Sequence, residues 1–232
     1  MSVIPNILSL SSSYSPASLY VSLRTGGSFY DHSYCHPSSG LVDILLKARE
    51  FVSPDDLDYV AVDIGPGGFT STRVAVSLSM GIASAANIPI IPIKSTEALA
   101  VKAFTEKNVS HSIVSLLLKP GLVLLSSYEL TSGSINECFP PVIMDQDEFD
   151  TWVRDRDFYG SALYGTGFTL ICDSNAEFNT EHHTARDIYS AAMVCLHAPK
   201  RVLNPTDVSV DYAILPSAMM LHEQNLLNKV KI

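Results

Sequence analysis

Apolar residues fall in short runs whose period changes in a regular order along this chain of 232 residues. Residues 6–11, 17–23 and 28–34 read as three strands, the last two joined by Arg24-Thr-Gly-Gly27, where glycine supplies the backbone angles of a hairpin turn. A helix capped by Ser38 or Ser39 then runs through Glu50, followed by strand 58–64, helix 70–86, strand 88–93 and a helix from Ser95 to Lys107. The second half opens the same way. Strands 112–118 and 122–130 flank the turn Lys119-Pro-Gly121, and strand 135–143 follows Thr131-Ser-Gly-Ser134. Residues 146–154 read as a helix, 158–164 as a strand and 185–197 as a helix.

The most unusual segment is helix 70–86. From Val74 to Ile93 there is no Asp, Glu, Lys or Arg. A membrane span needs ~20 apolar residues, but Ser77, Ser79, Ser84 and Asn87 interrupt this one, and Pro89 and Pro92 end it. Read as a helix outside any membrane, it carries Ala75, Ser79 and Ala83 on one ridge and Val74, Leu78 and Ile82 on the next. Cover from several directions is expected, supplied by a second layer of the same fold or by a partner chain. The preceding residues Val60, Ala61, Val62 and Ile64 read as a buried strand, and Gly65, Pro66, Gly67 and Gly68 force a turn. Thr70 or Ser71 is the expected helix cap, at a helix start whose free N–H groups also suit anions.

Composition narrows the classes. With 47% hydrophobic and 17% charged residues, the elements are covered on both faces, as in α/β proteins. The net charge of −9 includes no long basic cluster, which disfavours unaided binding to RNA or anionic lipid. Cys35, Cys138, Cys172 and Cys195 are far apart and form no Cys-x-x-Cys, so buried free thiols in a reducing compartment are expected. Met1-Ser-Val-Ile-Pro5 lacks the basic segment of a leader, which points to the cytoplasm.

Two three-strand meanders, each followed by alternating helices and strands, predict two tandem ribonuclease H-like subdomains, the second divergent. Their expected extents are 1–107 and 108–232. This is the element order of the actin, sugar-kinase and Hsp70 superfamily; no sequence repeat accompanies it. Gly65-Pro-Gly-Gly-Phe-Thr-Ser-Thr-Arg73, set between a strand and an apolar helix, resembles the Gly-Pro-Gly-Ser-Phe-Thr-Gly-x-Arg signature of the bacterial TsaB (YeaZ) family. Asn6-Ile-Leu-Ser-Leu10, Leu41-Val-Asp-Ile-Leu-Leu46 and Asn87-Ile-Pro-Ile-Ile-Pro-Ile-Lys-Ser-Thr96 resemble that family's first strand, first helix and next strand. Beyond about residue 105 the likeness thins to Tyr164-Gly-Thr-Gly-Phe168.

The resemblance implies a noncatalytic part in making threonylcarbamoyladenosine on tRNAs that read codons beginning with A. The chain would pair with TsaD, the paralogue that transfers the threonylcarbamoyl group, and TsaE, an ATPase, would join the pair. Transfer RNA would be met only through the complex. The implied interface lies on the first two helices: Leu41, Leu45, Ala48, Phe69, Thr70, Arg73, Val74, Leu78 and Ile82. In the first helix, Val42 and Leu46 follow a separate face. No cofactor is expected on this chain alone, with ATP or ADP and a metal placed in the partner or at the interface.

Departures from the family pattern bear on chemistry. Many relatives have an Asp-Thr pair where this chain has Ser11-Ser12-Ser13, and a hydroxyl cannot replace a metal-side carboxylate. Leu117-Leu118-Lys119 stands where the family has Asp-Ala-Arg, and the family's Tyr-Leu-Arg is echoed only by Tyr212-Ala-Ile214. His32 and His36 have a metal-ligand spacing, but the expected helix starts after both, Pro37 interrupts the run and no carboxylate motif accompanies them, so no metal site is expected. Glu181-His182-His183 reads as a solvated loop, and Asp145, Asp147, Glu148 and Asp150 as a cap and solvated helix start. No serine sits in Gly-x-Ser-x-Gly. Two alternatives stand beside the assembly subunit: an ATP-dependent phosphotransferase of the actin-like superfamily, and a self-associating homodimer without a pathway role.

Overall fold

A computed structural model describes residues 4–171, 176–197 and 201–213. Its ten strands form two five-stranded sheets of the same topology. In the first, β1 (Ile7–Ser11), β2 (Ala17–Ser22) and β3 (Ser28–Ser33) make an antiparallel meander, and β4 (Tyr59–Asp63) and β5 (Ile90–Ile93) add in parallel beside β1, giving the order β3-β2-β1-β4-β5. In the second, β6 (His111–Lys119), β7 (Leu122–Thr131) and β8 (Ser134–Asp145) form the meander, with β9 (Ser161–Tyr164) and β10 (Phe178–Asn179) in parallel, giving β10-β9-β6-β7-β8. The duplication expected from element order is present in strand pairing. The fold is α/β, of the actin type.

Among the described residues, five α-helices cover the sheets: α1 (Pro37–Phe51), α2 (Phe69–Ala86), α3 (Ser95–Lys107), α4 (Gln146–Arg154) and α5 (Ala185–Cys195). Helices α1 and α2 pack on one face of the first sheet through Leu41, Ile44, Ala48, Ala75, Val76 and Ala83. Helices α3 and α5 fill its other face. Helix α3 also packs against the second sheet, through Leu99, Ala100 and Phe104. The far side of that sheet is closed by α4 and the 3-10 turn Thr166–Leu170, around Phe149 and Phe168. Sandwiched between two sheets, α3 buries nine of its thirteen residues. The helix covered from several directions is thus α3, not α2. On α2 the buried residues are Thr72, Ala75, Val76, Ser79 and Ala83, one stripe at helical spacing flanked by the half-buried Val74, Leu78, Met80 and Ile82, and Phe69, Thr70, Ser77, Gly81, Ser84 and Ala85 are exposed.

Helix α5 returns to the first sheet, and Leu203 pairs with Ile90 through two backbone hydrogen bonds of 2.9 and 2.8 Å, covering the edge of β5. The Asp211 N–H then bonds the Ile64 carbonyl at 2.8 Å. Residues 185–195 and 201–211 therefore complete the first subdomain.

Helix starts differ in detail from expectation. Pro37 is the first residue of α1 and His36 its N-cap, since proline's fixed φ and missing N–H suit a first turn. Gly68, not Thr70 or Ser71, is the N-cap of α2; the Ser71 and Thr72 hydroxyls instead donate to the Gly68 carbonyl. The acidic start of α4 is a capping box, Asp145 accepting from the Glu148 N–H and Glu148 from the Asp145 N–H. Cys35 and Cys138 are exposed, contrary to the buried thiols expected, whereas Cys195 is buried. Cys172 and Ile214 lie outside the described residues. Among the described residues no helix is long and apolar enough to cross a membrane.

Candidate functional site

The glycine turn is held by the end of β1. The Gly68 N–H bonds the Ser13 carbonyl at 2.8 Å, the Ser13 and Thr72 hydroxyls meet at 3.0 Å, and the Ser12 hydroxyl donates to the Ser71 carbonyl at 2.5 Å. A Cβ on Gly67 would stand 2.6 Å from the Ser13 carbonyl oxygen, and one on Gly65 would stand 2.8 Å from that of Asp211, at a φ of +98°. Glycine is required at both places because backbone passes within contact distance. A cavity of about 100 Å³ remains beside the loop, lined by Pro66, Gly67, Phe69, Leu118 and Asp211 among others. Sites for small-molecule ligands are several times larger. The apolar Leu118, in the stretch where relatives carry acidic and basic residues, is part of its wall.

Behind the turn lies a polar cluster the sequence reading missed. Asp63, at the C-terminal end of β4, is fully buried, and so is the His183 side chain. His183 Nε2 donates to Asp63 Oδ2 at 2.6 Å, and the same oxygen accepts from Ser11 Oγ at 3.1 Å. Oδ1 accepts from Ser95 Oγ at 2.7 Å and from the Gly65 N–H at 2.9 Å. Burial alone would raise this carboxyl. The charge and hydrogen bond of His183, with the hydroxyl and amide donors, outweigh burial and hold it below the usual aspartate range. Tyr14 sits edge-on to His183 and stacks on His182 at 4.5 Å, and burial followed by the nearby Asp63 charge pushes its phenol up. Glu181 is exposed as a solvated loop would be, but His183 is the innermost residue of this segment. The one available signal was Asp63 itself, a carboxylate ending an apolar strand and needing partners.

This cluster is not a hydrolytic triad. Both serines and the imidazole bond to the carboxylate rather than to one another, so no hydroxyl is activated by His183. His32 lies on β3 and His36 at the start of α1. Among the described residues, no group of three or more His, Cys, Asp and Glu is placed to hold a metal.

The surface over α1 and α2 is the other candidate. Leu41 (0% exposed) and Ala48 (3%) point into the chain's own core, and Leu45 packs at its edge, so this face of α1 has no room for a partner. The outward apolar residues of α1 are Val42 (43% exposed) and Leu46 (56%), with Phe51 exposed at its C-terminal end. The period of the helix separated these faces in the sequence, but only the position of the sheet decides which one is inside. On α2, Val74, Leu78 and Ile82 are half-buried flank residues that touch the core, and Phe69 (43% exposed) and Thr70 lie at the open end. Val42, Thr70, Arg73, Val74, Ser77 and Leu78 together line a shallow groove between the helices. Arg73 closes one end of it. Its guanidinium lies 3.7 Å over the Phe69 ring, and Nε donates to the Tyr212 hydroxyl at 2.6 Å.

These two features can be set beside known proteins. The family model of TsaD, tRNA N6-adenosine threonylcarbamoyltransferase, matches residues 40–127. A protein of Buchnera aphidicola named tRNA threonylcarbamoyladenosine biosynthesis protein TsaB is 32% identical over 80 residues, covering 34% of this chain and 36% of that one. The TsaB of Haemophilus influenzae is 32% identical over 77 residues, covering 33% and 32%. The solved structure of YeaZ from Pseudomonas aeruginosa superposes with a TM-score of 0.75 at 18% identity, covering 89% of this chain and all of that one. The chain is thus similar to TsaB proteins in sequence over part of its length and to YeaZ in fold over nearly all of it. The sequence matches span only about a third of the length of these TsaB relatives, whereas the YeaZ fold extends over both sheets. The TsaD match covers α1, α2 and the glycine turn, where the motif residues and the helical groove meet.

Proposed function

We propose that this chain is a TsaB-type protein, a noncatalytic assembly subunit for threonylcarbamoyladenosine formation on tRNA, docking a TsaD-type transferase over α1 and α2, with a TsaE-type ATPase joining the pair. The observation that carries this reading is the surface of α2. It has one basic residue and no acidic one along 18 residues, buries only one stripe, and continues into Val42 and Leu46 of α1. Contiguous outward apolar residues on two adjacent helices fit a helical partner. The docking residues are Val42, Leu46, Phe69, Thr70, Arg73, Val74 and Leu78, with Leu41 and Ala48 supporting them from within.

A phosphotransferase role is less well supported. All four hydrogen bonds to Asp63 come from the chain itself, Ser13 occupies the glycine turn, and the adjoining cavity is small. Reconstitution tests the proposal: the organism's own TsaD- and TsaE-type proteins, tRNA, and the threonylcarbamoyl-adenylate precursor are combined with and without this chain, and modified adenosine is measured by nucleoside mass spectrometry. Modification is expected only with the chain present, and a Val42→Glu/Leu46→Glu variant is expected to fail while remaining folded. Equal modification without the chain would sink the proposal.

A further inference from the structure

We infer that Arg73 is the polar anchor of the α1/α2 groove and that the helix docking there brings a carboxylate to it, an inference that rests on the pairing reading above. Three observations converge. First, among the described residues Arg73 has no carboxylate within ion-pair distance, and its one hydrogen bond is made by Nε, to Tyr212. Both terminal nitrogens are therefore uncommitted. Second, the group is held in place: it stacks on Phe69 at 3.7 Å, Tyr212 lies 5.4 Å away, and the two rings pack 5.7 Å apart. A guanidinium fixed by ring stacking and one hydrogen bond has already given up much of its freedom before any partner arrives. Third, it lines the apolar groove together with Val42, Thr70, Val74, Ser77 and Leu78.

Covering that groove removes water from the guanidinium, and an unpaired charge buried in this way opposes association. A docking helix must therefore supply an acceptor. A carboxylate matches the planar two-nitrogen edge that remains and can engage it with two parallel hydrogen bonds. The chain's net charge of −9 sharpens the choice, because this fixed cation is where an acidic group can approach an otherwise repelling molecule. Arg73 and Tyr212 are also of the residue types in which interface hot spots are enriched. Tyr212 comes from the segment after α5, so the anchor joins residues 139 positions apart in the chain.

The experiment is a titration calorimetry series of the full chain against the organism's TsaD-type protein, with thermal melts of each variant as a folding control. Arg73→Met is expected to weaken binding by about 10- to 100-fold with an unchanged melting temperature. Arg73→Lys is expected to recover only part of that loss, because a point charge lacks the fork. Arg73→Glu is expected to abolish binding and to be rescued when one carboxylate on the transferase's apolar helical face is changed to Arg. If the unsubstituted chain binds and Arg73→Met binds equally well, the anchor is overturned while pairing stands. No binding by the unsubstituted chain overturns pairing and anchor together. Should Arg73→Met instead disrupt only self-association, the occupant is a second copy and the inference fails.

Discussion

Replacing His183 by Ala tests the buried cluster most directly. The substitution leaves Asp63 fully buried with Ser11, Ser95 and the Gly65 N–H as its donors, but without the imidazole that contributes its 2.6 Å bond. Removing one member of a buried charged pair typically costs about 3–5 kcal/mol, and the three surviving hydrogen bonds place this case at the lower end, ~3 kcal/mol. For a chain of this size that corresponds to a fall in melting temperature of roughly 6–12 °C. Asp63→Asn should cost less, since the amide oxygen can still accept from Nε2 of His183. The double variant should fall short of the sum of the singles by more than about 1 kcal/mol. Urea unfolding followed by circular dichroism gives all four values. The pH dependence has a definite sign: Asp63 is held below its unfolded value, so its contribution is complete above about pH 4 and is lost as pH falls through the lower folded value. The gap between the parent chain and Asp63→Asn should therefore close in acid. A cost for His183→Ala below about 1 kcal/mol, or strict additivity, would refute the coupling.

Two other outcomes follow from the packing. Gly67→Ala should destabilise by about 1–3 kcal/mol, because the new methyl meets the backbone of Ser13. Gly81→Ala, on the open side of α2 with nothing within 4 Å, should stabilise by ~0.5–1 kcal/mol; thermal melts of the two should move in opposite directions. Thiol alkylation mapped by mass spectrometry should label Cys35 and Cys138 rapidly in the native chain. Cys195, buried and with its thiol pushed up to about 11 by that burial, should react only on unfolding.

Much of the fold was legible because it is written locally. The glycines of the hairpin turns, the alternating strands and the uncharged helix each announce themselves within about ten residues, and the repeated meander disclosed the duplication. The glycine turn and the apolar α2 were legible for the same reason. What stayed hidden depends on distance or on direction. Asp63 and His183 are 120 positions apart, and a pair of histidines among polar residues looks like surface until the chain folds back over it. Leu41 and Val42 are adjacent and equally apolar, so composition could not say which is core. The shortened second half misled in a different way: a 3-10 turn at Thr166–Leu170 stands where the first half has α2, so periodicity offered nothing to detect.

The return of residues 185–211 to the first sheet bears on synthesis. A ribosome that has reached residue 100 has delivered α1 and α2, yet the opposite side of their supporting sheet, around Ile7, Ala61 and Ile91, still lacks α5. Tyr212, which steadies Arg73, emerges later still. Under the proposed pairing, chains that stop short of α5 and Tyr212 are expected to be poor competitors for the partner, because the support of α1 and α2 is incomplete.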